Sequence, residues 1–344
     1  MKSARVIASV LMYAQWSENE DERKRDISFW NELPETVLRK TFEYKGDLVT
    51  VFIDWRKMSK GIDRLGEVLF SSEPQKKHTM QQLKGQVRIP ATVDFVFSES
   101  SEQSDVKQRN AAESVLEYCL HSFFLVSNLS IPGICDFYRA EIKIKGDQRR
   151  FAVKSYINIS SYAFERTGDT ECPDWMRSQV LPVSDVEEWF SKIAMGGELR
   201  QRAESPIEKA LFSILHYCRL DFEVTSIIWV VHALEAMFST RVGDAKRALL
   251  EKIAFTLDLA DRDKKSLKRN INGVYEGRDK LVHGGFATYS PLMNEHIDSE
   301  IWVHVSDLVD QGQVGFQILI ACVQSLIAKR FYSVKAEEIL SFKC

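Results

Sequence analysis

Residues 261–285 read DRDKKSLKRNINGVYEGRDKLVHGG, and their period decides how the second half of the chain is built. Leu267, Ile271, Val274 and Leu281 recur at helical steps, which places them on one side of an α-helix. Gly284-Gly285 marks its end. Such a helix has one apolar face to bury and needs others like itself alongside.

Working outward, the period repeats. Ser205-Pro206 opens a helix with proline at its first position, and Ile207, Leu211, Ile214 and Cys218 form its inner face. A second helix over 222–238 aligns Ile227, Val231, Leu234 and Phe238, and a third over 244–258 aligns Leu249, Ile253 and Leu257. The last, over 313–331, is apolar on nearly every side, which suits a central helix or a subunit contact. Residues 205–344 are therefore expected to form an all-α antiparallel helical bundle.

The first half has the period of strands. Leu48 to Trp55 is a short apolar run, and Val87, Ile89, Ala91, Val93, Phe95 and Phe97 alternate with mostly polar neighbours. Ala140, Ile142 and Ile144 lead through Gly146-Asp147 into Phe151, Val153, Ser155, Ile157 and Ile159, a hairpin over 137–159. Ser104 to Val126 carries a helical stripe and stops at Pro132-Gly133, after a polar loop over 98–106. An irregular stretch over 166–183 precedes a helix from Asp185. The expected organisation is an α+β domain over 1–183, a connecting helix or linker over 184–204 and the helical domain over 205–344.

Bulk properties narrow the function. At 344 residues two domains are expected. A net charge of −3 argues against coating nucleic acid through bulk positive charge. The six cysteines form no C-x-x-C pair, so neither a zinc knuckle nor a redox motif is expected; free thiols suit a reducing cytoplasm. The apolar start up to Tyr13 reads as a strand rather than a signal peptide. The apolar windows 224–238 and 314–328 fall short of a membrane span. No membrane partner, metal or cofactor is expected.

The fourth helix breaks its own pattern at Arg278, which falls in the middle of the stripe of Leu267, Ile271, Val274 and Val282. A guanidinium in apolar surroundings needs an acid, a subunit interface or a phosphate. His283 follows at the helix end, where the dipole favours its protonated form. Five residues turn a helix by about 140°, so the two side chains do not share a face of one regular helix. A site assembled from two copies of the helix, or a loosened last turn, resolves this.

The segment Ala233-Leu234-Glu235-Ala236-Met237-Phe238, followed by Val274 through Gly284, resembles the core of HEPN domains, closest to the Apea-like group of prokaryotic defence proteins. Arg278, the polar Asp279, His283 and Gly284 fit the family's Arg, polar, spaced His and Gly pattern, and Glu235 matches an acidic residue on an earlier helix. The resemblance spans 205–335 and is specific around 231–285. It implies a metal-independent endoribonuclease that leaves a 2′,3′-cyclic phosphate, with the site shared across a homodimer. His283 would transfer protons and Arg278 would hold the phosphorane. Asp279 would orient the His or hold the dimeric site, and Glu235 would support Arg278.

Plainer readings stand beside these. Arg278 could be a salt bridge to Glu235 or Glu276, His283 a helix cap, and Asp279 simply solvated. His232, beside Glu235, reads first as a core histidine, and Tyr289 lacks the spacing of a modified tyrosine. Lys264, Lys265, Lys268 and Arg269, with Lys280, are either a solvated face or an RNA-backbone contact. Lys143, Lys145, Arg149 and Arg150 in the hairpin are weighed alike, and Trp16, Trp30, Trp55 and Phe95 read as core rather than stacking platforms. The expected partners are RNA (tRNA or mRNA), a second copy, and an inhibitor or trigger that restrains the activity. The competing expectations are a non-catalytic HEPN module and a scaffold for an active N-terminal domain.

Overall fold

In a computed structural model of the chain, the described residues are 3–14, 17–69, 86–96, 105–144, 151–152, 158–168, 172–193, 202–219, 224–239, 245–286 and 299–334. The chain divides into two compact units, residues 1–161 with 182–201 and residues 162–181 with 202–344. Residues 162–181, which a boundary near 183 leaves with the first domain, thus group with the helical unit, and most of the 184–204 connection groups with the first.

The first unit is built on a six-stranded sheet of β1 (Ser3–Tyr13), β2 (Arg39–Tyr44), β3 (Asp47–Ile53), β4 (Gln86–Val96), β5 (Phe137–Ile144) and β6 (Phe151–Ala152). Every pairing is antiparallel, in the order β2-β3-β4-β1-β5-β6. The apolar start of the chain is β1, paired on both sides by β4 and β5. Alternation sets the faces: Val6, Ala8, Val10 and Met12 of β1 are buried, as are Val49, Val51 and Ile53 of β3 and Ile89, Ala91, Val93 and Phe95 of β4. Ile7, Leu48 and Phe52 point the other way and are exposed. Pro90 lies opposite Ser9 of β1, one residue before the β3 ladder begins at Ala91, so β4 is paired on one side only there. The expected hairpin is seen where it is described, through Glu141↔Ala152, Ile142↔Phe151 and the bridge Phe137↔Ile159. Its turn and the 97–104 part of the polar loop lie outside the described residues.

Helices α1 (Glu20–Asn31), α2 (Glu35–Leu38), α3 (Lys57–Leu69) and α4 (Asp105–Ser130) belong to this unit. The long α4 packs on β2, β3 and β5 through a stripe that includes Val115, Leu116, Leu120 and Phe123. The Phe123 ring stacks flat on Trp55 at 4.0 Å, and Trp30 packs beside it at 5.8 Å. Trp30, Trp55 and Phe95 are core residues, as expected. Near the end of α4, the fully buried Asn128 donates to the carbonyls of Phe124 and Cys135, each at 2.9 Å. Its own carbonyl accepts from the N–H groups of Gly133 (3.1 Å) and Cys135 (3.3 Å). This closes the Pro132-Gly133 turn, where Gly133 has a φ of 88°.

The second unit holds the short α5 (Tyr162–Glu165), α7 (Pro206–Arg219), α8 (Ser226–Met237), α9 (Ala245–Thr256), α10 (Asp261–Val282) and α11 (Ser299–Ala328); α6 (Val183–Lys192) lies in the first. A capping box starts α7: Ser205 Oγ accepts from the Glu208 N–H (3.2 Å) while Glu208 Oε2 accepts from the Ser205 N–H (2.9 Å). The pairs Ser213–His232 and His216–Trp229 make α7 and α8 antiparallel.

Glycines let three helices close on one another. Gly312 and Gly315 of α11 lie against Ile227 and Val230 of α8, while Gly315 and Gly277 bring α10 onto α11 at Val274 and Leu308. These contacts make α10 antiparallel to α11, whereas α8 and α11 run in the same sense. A Cβ on Gly315 would stand 2.6 Å from Val230. α11 is the central helix of the bundle, with Phe316, Ile318, Leu319, Ile320, Cys322 and Val323 buried. Its Val305–Ala328 portion is long and apolar enough to cross a membrane, more than the shorter windows implied, but 78% of its most apolar stretch is buried within the protein.

Three glutamines of α11 clasp the segment 162–181. The Nε2 groups of Gln313, Gln317 and Gln324 donate to the carbonyls of Ala163, Arg166 and Gln179, each at 2.8 Å, and the Gln179 N–H returns to Gln324 Oε1 at 2.8 Å.

Candidate active site

The candidate site lies where α8 and α10 meet. Gly277 permits the approach: a Cβ there would run into Gln311 Oε1 and stand 2.9 Å from Ile227 Cδ1 and 3.0 Å from Leu308 Cδ2. The next residue, Arg278, sits at the rim of this contact, and one turn earlier Tyr275 is buried.

The Tyr275 hydroxyl donates to Glu235 Oε1 at 2.8 Å. Arg278 Nη2 lies 3.9 Å from the same carboxylate oxygen, and Nη1 lies 3.2 Å from Asp279 Oδ1. The guanidinium carbon stands 5.2 Å from the centre of the Tyr275 ring, a cation–π distance. On the ring's account book of cations Lys246 of α9 is a second, its ammonium 5.8 Å from the centroid. Burial, then the hydrogen bond and negative charge of Glu235, push the Tyr275 phenol well above its usual range, so it stays a neutral donor. Arg278 Nε is buried without an acceptor among the described residues, as is Gln311 Oε1 without a donor. The Arg278 side chain remains 26% exposed.

These positions sort the expected residues. Glu235, Asp279 and Arg278 come together, and Glu276 is exposed and takes no part in the cluster. The apolar stripe holds at Leu267, Ile271 and Val274 and then fails: Val282 is 52% exposed, because the periodicity runs on past the packed part of α10. Arg278 therefore stands at the end of the stripe rather than in its middle.

His283 is the C-cap of α10, its N–H bonded to the Asp279 carbonyl at 2.9 Å. Gly284 follows with a φ of 74°, in the left-handed region that ends helices. The imidazole is exposed, and among the described residues no hydrogen bond or ion pair joins it to Arg278 or Asp279. Within one chain the acid of Asp279 serves the arginine, not the histidine.

Lys264, Lys265, Lys268, Arg269 and Lys280 are all exposed along α10. His232 is exposed rather than in the core, and its Nδ1 lies 2.8 Å from Ser213 Oγ. Because Ser213 also donates to the Lys209 carbonyl, the imidazole Nδ1–H is the donor to Ser213. Tyr289, Trp16, Lys145, Arg149 and Arg150 lie outside the described residues; Lys143 falls in β5. Tyr275, Gly277 and Lys246 were not singled out from the sequence. Tyr275 stands three positions before Arg278, a spacing that makes them neighbours on the helix but does not by itself set a tyrosine apart from core. Among the described residues no group of three or more His, Cys, Asp or Glu could hold a metal ion.

No protein-family model, no curated protein and no solved structure matches the chain.

Proposed function

We propose that the chain is a metal-independent endoribonuclease of HEPN type, with its site shared between two copies and a role in prokaryotic defence or toxicity. One observation carries the reading. Arg278 is held on a tyrosine face between two acids, at a solvent-facing rim, with an exposed imidazole on the same helix five residues on. An arginine fixed this way matches a phosphate with little loss of side-chain freedom.

The reaction runs within the RNA strand. The 2′-oxygen attacks the adjacent phosphorus, its proton passes to the neutral imidazole of His283, and the P–O5′ bond breaks. The departing 5′-oxygen takes a proton from the imidazolium of the second copy, leaving a 2′,3′-cyclic phosphate and a 5′-hydroxyl. Arg278 carries the charge that builds on the phosphorane oxygens. Glu235 and the Tyr275 hydroxyl keep the arginine in place. Two copies are needed because Arg278 and His283 diverge around one helix.

The test is to express wild type, Arg278→Ala and His283→Ala in a bacterium and map RNA ends. Growth arrest and cyclic-phosphate ends with wild type, lost in both variants, support the reading. Their absence with wild type under any trigger, phage infection and stress included, or their persistence in His283→Ala, refutes it. A second reading, a non-catalytic module that pairs with another copy or a partner, is favoured by the fact that Arg278 already has Glu235 and Asp279 as partners. It predicts that Arg278→Ala loosens the fold or the dimer while RNA ends stay unchanged.

A further inference from the structure

We propose that the groove between α9 and α10 is a docking site for single-stranded RNA, with Phe255 as a base-stacking platform and Lys264 and Lys268 as phosphate contacts. The identity of the polynucleotide rests on the ribonuclease reading; the groove itself does not.

Phe255 is 77% exposed, far more than a phenyl ring needs to be on a helix that buries Leu249 and Ile253. It stands on the wall of an open groove of about 550 Å³ that also includes Leu250, Leu259 and Leu267. The other wall is the first half of α10, from which Lys264 and Lys268 line the groove. Lys265 and Arg269, the next residue in each case, are exposed as well. Two acids share the rim, Glu251 and Asp258. Each has its own cation, Arg247 at 3.5 Å and Lys329 at 2.6 Å. Lys264 pairs with Asp261 at 2.8 Å, but Lys265, Lys268 and Arg269 form no ion pair among the described residues. The uncompensated charge around the groove is positive.

A flat exposed ring over an apolar floor, faced by the ammonium of Lys268, unpaired among the described residues, and by Lys264, whose only acid there is the exposed Asp261, is the combination that binds unpaired nucleotides. A duplex hides the base faces that would meet Phe255, and bulk charge cannot be the attraction in a chain of net charge −3. The placement also serves the site already described. Lys268 precedes Arg278 by ten residues, about 15 Å along the axis of α10, so a strand of a few nucleotides seated here would run toward the arginine.

The experiment measures binding of full-length protein to a fluorescent single-stranded 2′-O-methyl RNA 12-mer, whose blocked 2′-oxygen prevents cleavage. Phe255→Ala should weaken binding roughly tenfold or more, and Phe255→Tyr should restore it. The double variant Lys264→Ala, Lys268→Ala should lower the slope of log affinity against log salt by about 1.4. Unchanged thermal melting shows that these surface variants fold. Equal binding by wild type and Phe255→Ala overturns the proposal, as does equal affinity for a duplex of the same sequence. Displacement by an acidic peptide that also needs Phe255, with no RNA bound, makes the groove a protein dock and overturns it too. Phe255-dependent binding without any cleavage of ordinary RNA by wild type sinks the ribonuclease reading and leaves the groove standing. Cleavage that needs Arg278 but is indifferent to Phe255 does the reverse.

Discussion

Asn128 in the sheet unit and Arg278 in the helical unit are both polar side chains set among apolar neighbours, and the two units treat them in opposite ways. Asn128 is sealed, and its amide makes four hydrogen bonds to backbone groups around one turn. Arg278 is left at a rim with a buried Nε that finds no acceptor among the described residues, and with acids at 3.2 and 3.9 Å rather than in tight bidentate contact. A polar group satisfied on every side belongs to the architecture. One that is held but incompletely satisfied has capacity left for a ligand.

That contrast can be broken or sharpened by substitution. The largest effect should come from Asn128→Ala, which orphans three backbone groups of the turn at about 1–3 kcal/mol each. We expect a loss of about 4 kcal/mol, read from the denaturant midpoint of the sheet unit, with little direct effect on RNA cleavage by the protein that remains folded. Arg278→Ala should show the opposite balance. Cleavage should fall by about 10²–10³, while stability shifts by less than about 1 kcal/mol; a large stability loss with unchanged cleavage would make Arg278 another Asn128.

Gly277→Ala comes next. Its new methyl meets Gln311, Ile227 and Leu308, so we expect a loss of about 2 kcal/mol from overpacking together with slower cleavage as Arg278 is displaced. Tyr275→Phe should be mildest, near 1.5 kcal/mol for a hydrogen bond to a charged acceptor. Its signature is in alkali. The folded Tyr275 phenol is raised above its unfolded value, so its stabilisation is complete below about pH 10 and is lost as pH rises beyond that. Chemical denaturation across that window should show a shallower decline in Tyr275→Phe than in wild type.

Much of the fold was legible in the sequence, and the reason differs by element. Alternation in β3 and β4, and the stripes of α4 and α7 to α10, mark surfaces that face one core, so burial writes its period into the chain. α1 has no such stripe, since only Phe29 and Trp30 of its residues are buried. α3 carries one in Met58, Ile62 and Leu65, but it is short and went unread. The first turns of α11 were missed because their pattern is mixed, with Asp307 and Asp310 among valines. At the site, Arg278 was visible as an interruption of a pattern. Its partner Tyr275 was not, because a tyrosine on an apolar stripe looks like core. Val282 misled for a related reason: a period persists along a helix whether or not a neighbour is there to cover it. Nor does periodicity say that His232 faces solvent, since that depends on which helices flank α8.

The glutamine clasp on α11 has a consequence for how the protein is made. Gln313, Gln317 and Gln324 hold backbone carbonyls that lie 150, 151 and 145 residues earlier in the chain. A ribosome adding about 5–20 residues per second therefore delivers the segment 162–181 roughly 7 to 30 s before the side chains that will grip it exist. During that interval Ala163 and Phe164 have no α11 to pack under. The segment 162–181 therefore cannot be clasped until α11 has been made, and a chain halted before α11 would leave that early segment without its partners.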